Sequence, residues 1–144
     1  MKQLQVCAVA LFLMVASSSV WAQTKTYKVI VNPSNPLTSI SYENVSRIFL
    51  KKTTKFPNGL SASPVDLPGD SAIREHFSND VLGKPASAVE AYWKPLIFSG
   101  RDVPPPQKNE RSVLDFVRSN ESAIGYISAT TDTSGVKVVL VTKF

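Results

Sequence analysis

The stretch DLPGDSAIREHF, residues 66–77, places the end of a short apolar strand, a glycine turn and the start of an amphipathic helix next to one another. Ile73 and Phe77 recur with Val81 at helical spacing, so these three side chains predict a buried helix face. The polar residues between them, Arg74 among them, predict an opposite face in solvent. The stretch therefore predicts a strand, a turn and a helix that packs on the core.

The turn that opens this helix is the best candidate for a binding site. Gly69 and the Ser71 hydroxyl precede the first helical turn, where unpaired backbone N–H groups and the helix dipole both favour negative charge. The pattern predicts a small-anion site with Ser71 and Ala72 at its centre and Asp70 and Arg74 beside them. In the alternative hypothesis, Asp70 caps the helix and its carboxylate takes the same amides, so that no ligand binds.

Ser34 and Arg101 are further candidates for the anion site. Ser34 lies in a turn-rich loop after the first apolar strand, and Arg101 begins a proline-rich segment that ends at Pro106. Because consecutive prolines hold a chain extended, this segment is either a rim of the site or a rigid connector.

The N-terminal residues have the pattern of a secretory signal peptide. A lysine precedes an apolar run over residues 6–16, and Val20 and Ala22 occupy the positions that favour small residues before a cleavage site. We therefore expect residues 1–22 to be removed and residues 23–144 to form a single periplasmic domain. The apolar run is too short to cross a bilayer, so the sequence predicts no membrane-spanning segment.

The composition limits the classes of function. A formal net charge of +5 makes the chain mildly basic and favours an anionic ligand, whereas nucleic acid is not an expected partner for an exported chain. Cys7 lies in the predicted signal peptide, so the rest of the chain has no cysteine and one histidine, His76. This inventory excludes thiol nucleophiles, zinc clusters and triads with several histidines. We therefore expect no enzyme activity, no metal and no cofactor.

Strands and helices alternate along the chain, and this order is typical of an α/β fold. Residues 27–31 and 63–67 predict two strands, with a helix that begins after Ser41 and ends near Leu50 between them. This order predicts a right-handed βαβ unit with parallel strands.

The second half of the chain continues the alternation. Gly83 predicts the end of the helix that follows Ser71, and Pro95 predicts the end or a kink of the next helix. A further helix is predicted around residues 113–117, followed by strands over residues 123–127 and 136–141. We expect these last two strands to add an antiparallel edge to a mixed, mainly parallel sheet flanked by helices.

Three stretches resemble the substrate-binding proteins of bacterial phosphate ABC importers, which have a periplasmic-binding-protein-like fold of type II. They are residues 41–51 with Phe56 after them, the strand, turn and helix over residues 65–77, and residues 122–127, which are similar to the family's return strand. Their order and spacing span most of residues 27–127. The resemblance implies a short, single-lobe member that binds phosphate or another oxyanion for transport or sensing.

In that family the loop before the helix reads roughly Arg-Ser-Asp-Gly-Ser-Gly-Thr-Thr, and its arginine, acid, serine and helix amides hold phosphate. Ser71 matches this motif. Leu67 stands in the place of the arginine and Gly69 in the place of the acid, and Arg74 replaces a threonine. Two hypotheses follow: a solute-binding domain, or an accessory module of an envelope sensor, porin or transporter that has lost the ligand site.

Overall fold

The computed structural model describes residues 25–144, so the predicted signal peptide and Cys7 lie outside the described residues. Within residues 25–144 no helix has the length and the apolar character that crossing a bilayer requires. The elements follow one another as β1 (Tyr27–Val31), β2 (Ser39–Ser41), α1 (Tyr42–Phe49), β3 (Ser63–Pro64), α2 (Ala72–Phe77) with a π-helical turn after it (Ser78–Leu82), α3 (Ala86–Phe98), α4 (Glu110–Ser119), β4 (Ala123–Ser128) and β5 (Lys137–Thr142).

The five strands form one mixed sheet in the order β2, β5, β1, β4, β3. The central strand β1 pairs antiparallel with β4 and β5, and the two edge strands pair in parallel with their neighbours. The predicted α/β lobe with a mixed sheet is confirmed. The antiparallel strands β4 and β5, however, lie on either side of β1 and not at an edge, so parallel pairs make up half of the sheet rather than most of it.

The predicted parallel βαβ unit is wrong. Ser63 of β3 pairs with Ala123 of β4, and β4 lies between β3 and β1. Because β4 is parallel to β3 and antiparallel to β1, β1 and β3 run in opposite directions. The local pattern missed this arrangement because β3 has only two residues and pairs with a strand that is distant in sequence.

A stack of aromatic rings anchors α2 to the sheet. The Phe77 ring lies flat on the Tyr126 ring, with 3.8 Å between the centroids and 6° between the planes. The Tyr27 and Phe49 rings meet Phe77 edge-on, at 5.5 Å and 4.9 Å between centroids. Phe77 is therefore a core residue, as predicted, whereas Ile73 is only partly buried. The stack holds α2 against β4 and so positions the turn before α2.

The helix ends follow the local rule at Gly83 and depart from it at Pro95. Gly83 ends the π-helical turn after α2 in the left-handed region, at φ 69°, as predicted. Pro95 does not end α3, which continues to Phe98. Pro95 is exposed, so the carbonyl that loses its helical partner there can bind water instead. α3 contributes Val89 and Trp93 to a second, smaller cluster, where they pack against Leu50.

Candidate functional site

The turn before α2 is capped by Ser71. Its backbone is extended, and its Oγ accepts a hydrogen bond from the Arg74 N–H at 3.2 Å. The predicted cap by Asp70 is wrong, because the Ser71 N–H bonds the Pro68 carbonyl at 3.0 Å and this turn brings Ser71 to the cap position. Asp70 is exposed. The Ser71 oxygen serves as acceptor, so its hydroxyl hydrogen remains available to a ligand.

Arg74 lies in the interior and not on the predicted solvent face. Its side chain is 5% exposed, and its Nε is 3.6 Å from Asp66 Oδ2. Its Nη1 is 4.0 Å from Glu90 Oε1 and is buried without a hydrogen-bond partner among residues 25–144. The helical pattern predicted exposure because it treats arginine as polar along its whole length. The long aliphatic stem instead carries the guanidinium under the turn.

Asp66 holds the Arg74 guanidinium from the core side. Its Oδ1 accepts hydrogen bonds from the Leu67 N–H, at 2.8 Å, and from the Tyr126 hydroxyl. Burial raises the pKa of the Asp66 carboxyl, while the Tyr126 hydroxyl and the Arg74 guanidinium act in the opposite direction and favour the ionised form. Burial also raises the pKa of Tyr126. Asp66 and Tyr126 thus form a fixed frame for the guanidinium.

Gly69 lies close to both the Glu90 carboxylate and the Arg74 guanidinium. A Cβ at Gly69 would lie 3.1 Å from Glu90 Oε1 and 3.3 Å from Arg74 Nη1. The missing side chain therefore lets the turn pass close to the guanidinium. Together with the Ser71 hydroxyl, the turn offers a guanidinium N–H and an O–H, which are donors suited to an oxyanion.

Asp66, Glu90 and Tyr126 are not among the site residues predicted from the sequence. A signal was present for Asp66, which stands between the apolar residues Val65 and Leu67 in the predicted strand. An acid at such a position is buried and needs a cationic partner, and Arg74 of the next helix is the nearest candidate in sequence. Tyr126 and Glu90 gave no comparable signal, because their places beside Asp66 and Arg74 depend on long-range packing.

Ser34 and Arg101 lie away from the Ser71 turn. Ser34 follows the end of β1 and donates its hydroxyl to Asn32 Oδ1 at 2.7 Å. The Ser71 turn follows β3, which runs opposite to β1, so the two loops leave opposite ends of the sheet. Arg101 is exposed after the end of α3. Among residues 25–144 no hydrogen bond or ion pair joins Ser34 or Arg101 to residues of the turn.

The surroundings of Ser34 form a separate cavity. Ser34 lines a cavity of about 350 Å³ together with Ser61, Glu121 and Ser122. In the described part of the chain, no cluster of three or more His, Cys, Asp or Glu side chains is placed to hold a metal ion. Of the predicted site residues, the structure thus brings together Asp70, Ser71, Ala72 and Arg74, which belong to one turn.

Three solved structures share this fold. A Clostridium perfringens protein, described as a phosphate ABC transporter substrate-binding protein and crystallised with bound phosphate, is 20% identical with a TM-score of 0.60; the match covers 82% of this chain and 45% of that one. An ABC-type phosphate transport receptor from Vibrio cholerae is 19% identical with a TM-score of 0.62, and the match covers 81% of this chain and 46% of that one. PstS from Borrelia burgdorferi is 14% identical with a TM-score of 0.54, and the match covers 81% of this chain and 47% of that one.

The chain therefore spans less than half the length of the solved structures that it matches. At these identities the likeness concerns the fold. No protein-family model and no curated protein matches the chain.

Proposed function

We propose that this chain is an exported, non-catalytic solute-binding domain that binds a small oxyanion, such as phosphate, for transport or sensing. The fold supports this proposal, since solved proteins with the same fold are described as phosphate-binding. One observation carries it: within the described part of the chain, Arg74 Nη1 is a buried cationic N–H without a hydrogen-bond partner, next to a turn that has no side chain at Gly69. A buried donor of this kind is costly unless an acceptor satisfies it.

In the proposed complex the oxyanion accepts hydrogen bonds from Arg74 Nη1 and from the Ser71 hydroxyl, beside the backbone of Asp70 and Ala72. Asp66 binds the other side of the guanidinium through Nε and keeps the planar group oriented. This proposed site is smaller than the one predicted from the sequence, because Ser34 and Arg101 lie outside it.

Oxyanions should stabilise the folded chain selectively, because the unfolded chain has no such turn. At a free oxyanion concentration 100 times the dissociation constant, the free energy of unfolding rises by about 2.7 kcal/mol, which should raise the melting temperature by roughly 8 °C or more. The measurement is a series of thermal melts with phosphate, sulfate and acetate at matched ionic strength.

Two variants of Ser71 control this experiment. Ser71→Asp keeps a good helix cap but puts a negative charge at the turn, so it should abolish the selective shift. Ser71→Asn keeps a cap without the charge and should retain most of the shift. If every oxyanion gave the same small shift in all three proteins, the solute-binding proposal would fail and the accessory-module hypothesis would remain.

We also propose that the domain is periplasmic and that its protein partner is a membrane transporter or sensor. Export should remove residues 1–22, so mass spectrometry of periplasmic protein should find a mature N-terminus at or beside Gln23. A chain that starts with a methionine in front of Gln23 is the control and should stay in the cytoplasm. Recovery of the intact chain with Met1 from the cytoplasm alone would contradict export.

A further inference from the structure

The Glu90 carboxylate lies on the solvent side of the Arg74 guanidinium. Glu90 Oε1 is 4.0 Å from Arg74 Nη1, which is an ion-pair distance but too long for a hydrogen bond. The same oxygen would lie 3.1 Å from a Cβ at Gly69, so it stands over the turn that contains Ser71. The Glu90 side chain is 56% exposed. The carboxylate therefore reaches the guanidinium from the solvent.

The two acids beside Arg74 are held in different ways. Asp66 is buried and accepts hydrogen bonds from the Leu67 N–H and the Tyr126 hydroxyl. Glu90 has no side-chain hydrogen bond within the described residues, and its only contact with a charge there is the ion pair with Arg74. The Glu90 side chain is exposed and makes no hydrogen bond to Arg74 at this distance, so it can turn outward into water while the guanidinium keeps its ion pair with Asp66.

We propose that Glu90 is an internal competitor for the solute: its carboxylate covers Arg74 Nη1 in the empty site, and the oxyanion binds as Glu90 turns into solvent. This inference rests on the proposed function and adds a regulator to the same site. The competition predicts the direction in which the affinity for the oxyanion changes. Because the oxyanion must replace an attractive charge on Arg74, the wild-type affinity is lower than the affinity of the same site without the Glu90 charge.

The test compares Glu90→Gln with the wild type. The glutamine has nearly the same shape but no charge, so inorganic phosphate or sulfate should bind this variant roughly tenfold more tightly, as expected for the loss of a charge interaction at about 4 Å. Calorimetric titration of the full chain at constant ionic strength measures the affinity. Glu43→Gln is the matched control, since Glu43 is exposed in the first turn of α1 and the substitution changes the net charge equally.

Glu90→Ala is a second variant that removes the charge by a different route and should tighten binding in the same direction. Equal or weaker binding by both Glu90 variants, with binding retained in the wild type, would overturn the competition while leaving the proposed function intact. An equal gain in Glu43→Gln would also overturn it, because the cause would be net charge. If none of these proteins bound phosphate or sulfate, the proposed function would fail together with this inference.

Discussion

Replacing Phe77 by alanine should destabilise the fold by about 3–5 kcal/mol, the usual cost of truncating a fully buried aromatic side chain. Phe77 is 1% exposed and stacks on Tyr126 at 3.8 Å, with Tyr27 and Phe49 against its edges. The alanine would leave a cavity that these rings, fixed to β1, β4 and α1, cannot fill. Urea unfolding measures the change.

Phe98→Ala is the matched control for this experiment. Phe98 is 90% exposed at the end of α3, so the same substitution should change the free energy of unfolding by less than about 0.5 kcal/mol. A loss below about 1 kcal/mol in Phe77→Ala would mean that the Phe77 ring is not buried and that α2 faces the sheet in another orientation.

Asp66→Ala should have an effect of similar size, about 3–5 kcal/mol, because it breaks a buried ion pair and leaves a buried charge. Of the charged side chains that the structure describes, Arg74 would keep only Glu90, at 4.0 Å, as a partner. The Leu67 N–H and the Tyr126 hydroxyl would also lose their common acceptor. The free energy of unfolding in urea is again the quantity to measure.

Two further aspartate variants show which part of Asp66 matters. Asp70→Ala removes an exposed carboxylate four residues away and should be nearly neutral, within about 0.5 kcal/mol. Asp66→Asn retains an oxygen for the Leu67 N–H and the Tyr126 hydroxyl but loses the charge, so its stability should lie between those of the wild type and Asp66→Ala. If Asp66→Ala were as stable as Asp70→Ala, the interior position of Arg74 would be wrong.

Elements whose signals are local could be predicted from the sequence. β1 begins and ends as predicted, because β-branched residues are followed by a turn-rich loop. α1 begins after Ser41, whose Oγ accepts a hydrogen bond from the Asn44 N–H at 3.1 Å, as the cap rule requires. β2 escaped prediction because, among the described strands, its three residues pair only with residues of β5, just over a hundred positions further along the chain. Strand order and direction likewise depend on such distant pairs.

In the candidate site, too, the local features could be predicted and the long-range contacts could not. The turn, the Ser71 hydroxyl and Arg74 could be proposed from the sequence, since all lie within a few residues of one another. The acids beside Arg74 and the tyrosine that supports Asp66 could not, because the Tyr126 hydroxyl reaches Asp66 from a strand 60 residues later. A periodic pattern also cannot distinguish an arginine in solvent from one whose stem passes through the core.

The place of β5 in the sheet has a consequence for how the chain acquires its structure. β5 comes after every other described element, yet it lies between β1 and β2, so β2 has no strand partner until β5 is present. Contacts between such distant residues form slowly, and the loop that must close spans most of the described chain. A chain still emerging from the ribosome therefore cannot complete its sheet. Until its last strand has been made, it can still pass through a narrow channel in an extended form.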